Sequence, residues 1–293
     1  MTDDYARYND GSGAPPRLRI QHSLWSLIKL PFNAAVEWTL AEKLERVRSE
    51  GFEAVECWLT DNDEREHRAA LDTAGLRLVL GHRPFQLKDV QATVARAKRL
   101  HADFVFAQPA DAFTPVGEVA ALVREGRQIA NDAGLAFFVE IHRNNFTENL
   151  PQIKQLIDAV PDIRFTADLS HLVVCGEFYG WEDERAVDRL ASVLERTSHL
   201  HGRISNGEQV QVDVGDGTNA TAQFFVRLWA KAMSHWLNSA VPGDVLPFTS
   251  ELGPPRYAIT TPDGKEISDR WEQSLVMKRL AEQAWALAME ARE

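Results

Sequence analysis

Short apolar runs rich in β-branched and aromatic residues alternate along the chain with longer segments whose apolar positions recur at helical spacing. The runs are 18–25 (LRIQHSLW), 54–59 (AVECWL), 76–82 (LRLVLGH), 104–109 (FVFAQP), 136–142 (AFFVEIH), 164–170 (RFTADLS), 198–205 (SHLHGRIS) and 246–252 (LPFTSEL). Their length and composition predict strands. Between them, 34–51, 63–75 and 116–134 each carry an apolar face and end on a glycine, a common stop after a last helical turn. A long amphipathic helix is expected over 271–290. Eight strand–helix repeats predict one parallel sheet closed into a single (β/α)8 TIM barrel over residues 17–293. The polar, Gly/Pro-containing residues 1–16 are expected to be a flexible leader. The competing open, doubly wound sheet lacks its usual support, since no G-x-G-x-x-G or phosphate-binding loop follows the first strand.

Composition narrows the partners. The formal net charge of −11 repels a phosphate backbone, and no Lys/Arg cluster offsets it, so nucleic acid is not expected as a ligand. No apolar run reaches the roughly 18 residues that span a bilayer, so no membrane partner is expected either. Two cysteines, Cys57 and Cys175, lie far apart and in no metal-ligand spacing. That fits a reducing compartment, and the expected location is cytoplasmic. A homo-oligomer would be ordinary for such a chain.

In a barrel of this kind the reacting groups sit where the strands end. The last four runs each finish in a group able to bind a metal: Glu140, then Asp168, then His199 and His201 on one face, then Glu251. Carboxylates at the ends of apolar strands are costly to bury unless paired or metal-bound. Four metal-binding groups on consecutive strands, three of them carboxylates, therefore point to a metal site, although Asp168 taken alone reads first as a helix cap with His171 at the start of that helix. Three carboxylates and an imidazole make a hard site for one divalent ion: manganese first, with magnesium, cobalt or zinc as alternatives. The long loop 206–220, rich in Gly and Asp, follows the seventh run, where loops more often serve function than packing.

The segments VEIHRNNFTENL, FTADLSHLVV, SHLHGR and ELGPPRY resemble the xylose isomerase-like TIM barrel superfamily, in its sugar phosphate isomerase/epimerase (AP endonuclease family 2) branch. The resemblance implies one divalent metal on Glu140, Asp168, His201 and Glu251. It favours His201 over His199 as the second histidine of H-x-H, with His199 left as a candidate. It also implies that His171 binds a substrate hydroxyl and Arg203 a substrate oxygen. Glu140 and Glu251 are then the expected proton-transfer pair. Other candidates come from position alone. His142 shares the parity of Glu140 and could orient it. Gln108 ends the fourth run. His82 and His22 could line the mouth, or simply pack. Trp58, which shares a face with Glu56, could wall a sugar site together with Trp25, or belong to the core.

The expected function is a divalent-metal-dependent sugar isomerase or epimerase. It would abstract a proton α to a carbonyl through a metal-stabilised enediolate, acting on a small-molecule carbohydrate. The alternative keeps the metal and the proton abstraction but ends in elimination, as a lyase cleaving an oxidised (keto) glycoside. An abasic-site endonuclease fits less well: that chemistry needs extra histidines, and the chain has Gln108 where one is expected and no Asp-x-His after the seventh strand. A non-catalytic sugar-binding subunit is the remaining reading. It is fed by one departure, since Phe146 stands where ketose epimerases usually carry a second glutamate. Arg203 and Arg256 are the only nearby cations, too few for a phosphate clamp.

Overall fold

The computed structural model describes residues 6–59, 64–180 and 183–291. Its strands are β1 (Tyr8–Asn9), β2 (Arg17–Ser23), β3 (Ala54–Cys57), β4 (Arg77–His82), β5 (Phe104–Ala107), β6 (Ala136–Glu140), β7 (Phe165–Ala167), β8 (Thr197–Gly202) and β9 (Asp244–Ser250). Between them run α1 (Leu40–Ser49), α2 (Glu64–Ala74), α3 (Leu87–Arg99), α4 (Val116–Asp132), α5 (Leu150–Ala159), α6 (Leu169–Cys175), α7 (Asp183–Leu194) and α8 (Ala220–Leu237), with α9 (Arg270–Glu290) last. β2 to β9 pair in parallel in chain order, and β9 pairs with both β8 and β2, so the sheet closes on itself. This is the expected (β/α)8 barrel.

Residues 1–16 do not behave as a loose leader throughout. Tyr8 and Asn9 pair antiparallel with Val245 and Asp244 at the base of the barrel. Tyr8 is buried, 5.8 Å from Phe104 ring to ring and 4.8 Å beneath the Arg19 guanidinium. The aromatic side chain closes the N-terminal end of the barrel, and burying it offsets the cost of ordering the segment. Residues 1–5 lie outside the described residues.

Strand parity sorts the side chains into two layers. Val79, Phe104, Phe106, Ala136, Phe138 and Val245 point inward with Tyr8 and fill the lower barrel. Their neighbours Leu78, Leu80, Val105, Phe137 and Val139 point outward and pack beneath the helices. Higher in the barrel the inward positions turn polar. Gln21, Thr166, His199 and Thr249 form a buried belt joined by hydrogen bonds of 2.7–3.2 Å, in which Gln21 Nε2 donates to Thr249 Oγ1. Below it, Arg19 donates to Asp103 Oδ2 at 2.5 Å and to Gln21 Oε1 at 3.0 Å, and Arg77 Nε also donates to Asp103. Arg19 and Asp103 are sealed from solvent, so each charge depends on the other.

Two predictions follow from this packing. Asp103→Ala strands a buried guanidinium, so urea unfolding should show a loss of about 3–5 kcal/mol; a loss under about 1 kcal/mol would contradict the account. His22 and His82 are buried, and burial, opposed by backbone carbonyl partners, lowers each from 6.5 to about 4. Folded, they stay neutral down to about pH 4, whereas unfolded they take up a proton near 6.5. Their stabilisation is therefore complete above that value, shrinks as pH falls toward 4, and is absent below it, an effect of about 3 kcal/mol per histidine. Urea midpoints should drop between about pH 7 and about pH 5; a flat profile there would contradict it.

Candidate metal centre

The inward positions that end the strands converge above the polar belt. Glu56 continues the inward face of β3, Glu140 that of β6, His201 that of β8 and Glu251 that of β9. All four are buried. His201 Nδ1 lies 3.0 Å from Glu251 Oε2 and 3.4 Å from Glu140 Oε1, while its Nε2 lies 2.9 Å from Glu56 Oε2. Gln108 Nε2 donates to Glu140 Oε2 at 2.8 Å, and Arg83 holds Gln108 Oε1 from the outer side at 2.7 Å. That fixes one Glu140 oxygen and leaves Oε1 with no hydrogen bond, its near neighbour being His201 Nδ1, which lies closer to Glu251.

Asp168 joins through Arg203. It caps α6, its Oδ1 accepting from the Ser170 backbone N–H at 3.0 Å, so the helix-cap reading is correct for one oxygen. The other accepts from Arg203 at 2.5 Å, and Arg203 also donates to Glu251 Oε2 at 3.0 Å. The guanidinium lies beneath Tyr257, 4.7 Å from its ring centre, and 5.7 Å from that of Trp25. His171 Nε2 is 3.5 Å from Asp168 Oδ2 and 3.4 Å from Arg203 Nη1, and its Nδ1 is buried without a partner. Glu140, Asp168, His201, Glu251, His171 and Arg203 thus form one contiguous cluster.

The other candidates are placed differently. His199 sits one layer lower, its ring nitrogens occupied by Thr166, Thr249 and Gln21, so it faces the belt rather than the mouth. His82 has the outward parity of Leu78 and Leu80: Nδ1 bonds the Phe106 carbonyl at 3.0 Å and the ring packs on Phe137, away from the carboxylates. His22 packs outward against Phe52 and Trp271. His142 stands at the mouth, its ring 4.2 Å from that of His171 and its Nε2 3.1 Å from Tyr257 Oη. Gln108, not His142, orients Glu140. Trp58 is 39% exposed and lines the mouth, and Phe146 is buried. Two residues given no role from the sequence now have contacts at the site: Glu56 against His201, and Tyr257 over Arg203. The signal for Glu56 was an acid inside a wholly apolar run, two residues before Trp58.

The electrostatics are those of a site short of positive charge. Four buried carboxylates, Glu56, Glu140, Asp168 and Glu251, share Arg203 and His201. Burial pushes the His201 imidazolium down, but Glu56, Glu251 and Glu140 outweigh it and lift it well above 6.5. Burial would raise Glu251, yet His201 and Arg203 hold it down at about 2. His171 is driven well below 6.5 by burial and by the neighbouring His142 and Arg203, and stays neutral. Among the described residues two groups have donor atoms close enough to share one cation: Glu140 with His201 and Glu251, and Glu56 with His199 and His201. In the second, His199 is already spent on hydroxyl and amide partners. The first joins the ends of β6, β8 and β9, with Glu140 Oε1 free of hydrogen bonds, as Glu56 Oε1 is in the second. Oxygen donors with one imidazole and no thiolate fit a hard divalent ion.

A cavity of about 750 Å³ opens beside this cluster, lined by Gln108, His142, Glu251 and Tyr257 and by Trp25, Trp58 and Leu59. The pattern shared by xylose isomerase-like TIM barrels matches residues 44–256. The chain belongs to this family. Solved structures of similar fold include D-allulose 3-epimerase from Methylomonas sp. in complex with D-allulose (12% identity, TM-score 0.61, covering 92% of this chain and 98% of that one). The 3-keto-D-glucoside 4-epimerase of E. coli gives 15% identity and a TM-score of 0.56 over 90% and 98% of the two chains. A xylose isomerase-like barrel from Mycobacterium smegmatis, in complex with magnesium, gives 14% and 0.58 over 85% and 89%. At these identities the likeness to each is one of fold. A comparison with curated proteins gives no match. No helix among the described residues is long and apolar enough to cross a membrane.

Because Glu56 is the first of the carboxylates that raise His201, Glu56→Gln should lower the pH at which His201 titrates in metal-free protein, followed by NMR of the imidazole. An unchanged titration would show that Glu56 does not hold the ring.

Proposed function

We propose that the chain is a divalent-metal-dependent sugar isomerase or epimerase that moves a proton on the carbon next to a carbonyl. The observation that carries this reading is the buried group Glu140, His201 and Glu251, in which Glu140 Oε1 and Glu251 Oε2 crowd His201 Nδ1 at 3.4 and 3.0 Å and Glu140 Oε1 has no hydrogen bond. Leaving such groups unsatisfied in a barrel interior is expensive, and a divalent ion removes the cost. Glu140, Asp168, His201 and Glu251 would hold it, manganese being first choice and magnesium, cobalt or zinc alternatives. When bound, the ion supplies Lewis acidity toward a carbonyl oxygen.

The chain's own residues do the rest. Glu140 and Glu251 stand at the ends of β6 and β9, on different sides of His201, so one would take the proton and the other return it. Gln108 keeps Glu140 aimed into the cluster. Neutral His171 and the buried Arg203 offer hydrogen bonds to substrate oxygens. The size of the cavity favours a second reading as well, in which the same proton removal leads to elimination from a keto-glycoside; release of an aglycone distinguishes it.

The test is exchange in deuterated water with ketoses and keto-glycosides. Deuterium should enter next to the carbonyl only in metal-loaded protein, and Glu140→Gln and Glu251→Gln should each slow exchange by about 10²–10⁴-fold. Exchange that survives both substitutions, or metal removal, would overturn the reading.

A further inference from the structure

Polar and apolar side chains both line the cavity beside the cluster, Arg83, His67 and Tyr257 among the polar ones. Gln108, His142 and Glu251 belong to the polar lining as well. Leu24, Ile28, Cys57, Trp58 and Leu59 line it from the ends of β2 and β3, whereas Gln108 and His142 follow β5 and β6 across the barrel mouth. Trp25 stands between them, since it packs on Tyr257 at 5.3 Å and lies 5.7 Å from Arg203. At about 750 Å³ the space falls in the range of about 300–1,000 Å³ that encloses drug-sized ligands, more than a free monosaccharide fills.

Single exposed apolar side chains are ordinary and need no explanation. The two tryptophans differ because the backbone is cut to receive them. A Cβ on Gly81 would stand 2.8 Å from Trp58 Cε2 and 2.4 Å from Phe106 Cζ; a Cβ on Gly253 would stand 2.6 Å from Trp25 Cη2. Trp58 is thereby held edge-on to Phe106, ring centres 5.8 Å apart, yet its outer part remains open to the cavity. Both rings are positioned before any ligand arrives, which spares the cost of ordering them on binding. One tryptophan can lie against the C–H face of a pyranose. A second, with Leu24, Ile28 and Leu59 around it, offers apolar area that sugar hydroxyls would leave wet.

We propose that the cavity takes a sugar bearing a flat apolar substituent, the sugar over the carboxylate cluster beside Trp25 and the substituent against Trp58, Leu59 and Ile28. This rests on the reading of the cluster as a sugar site. Calorimetric titration with phenyl β-D-glucopyranoside and methyl β-D-glucopyranoside tests it, using full-length protein. The phenyl glycoside should bind at least tenfold more tightly, a difference of about 1.4 kcal/mol. Trp58→Ala should bring the ratio close to one, and so should Ile28→Asp, which alters an exposed position and leaves the core untouched. Equal affinities, a ratio unmoved by both substitutions, or binding of neither glycoside would overturn the proposal. Metal content measured on the same samples separates the two levels. A tenfold ratio in protein unable to take up manganese sinks the reading of the cluster and keeps the apolar subsite, whereas manganese-loaded protein with a ratio of one does the reverse.

Discussion

Buried negative charge is the constraint around which this barrel is arranged. Glu56, Glu140, Asp168 and Glu251 are drawn out of water onto one axis, with Arg203 and His201 as the positive groups among them. An isolated buried carboxylate would simply pick up a proton. Here strand parity prevents escape, because each acid sits on an inward position of a strand closed into the sheet. The arrangement persists because hydrogen bonds fix individual oxygens: Gln108 on Glu140, Ser170 on Asp168, Thr249 on Glu56. Glu140 Oε1 is left without a hydrogen bond, beside His201 Nδ1 and Glu251 Oε2, and those three residues have donor atoms close enough to share one cation.

The support for those positions extends down the barrel. His201 leans on Glu56, Glu56 on Thr249, Thr249 on Gln21 and His199, Gln21 on Arg19, and Arg19 on Asp103 near the base. A column of mutually hydrogen-bonded polar groups is rigid, since the partners of each member fix its orientation. The site therefore rests on strands and on a buried network rather than on loops, the arrangement that holds reacting groups to a fraction of an ångström. At the mouth Trp25, Trp58 and Tyr257 shape what can enter.

Much of this was legible in the sequence, for identifiable reasons. The barrel could be read because every strand is a short apolar run and several helices end on glycine. Glu140, Asp168, His201 and Glu251 stood out because each interrupts apolar sequence where a strand should end. Glu56 did not, because β3 is buried on both faces and a parallel strand of that kind shows no alternation to say which side faces the axis. The same ambiguity hid the outward parity of His82, which only its neighbours Val79 and Leu80 on opposite layers reveal. The pairing of Tyr8 and Asn9 with β9 was invisible, since two residues carry no periodicity and the energy comes from a tyrosine closing a barrel formed more than a hundred residues later.

Anomalous diffraction from crystals grown with manganese would test the central claim most directly. The account predicts a single peak bounded by Glu140 Oε1, His201 Nδ1 and Glu251, with Asp168 adjoining. No peak there, or one seated instead between Glu56 and His199, would contradict it.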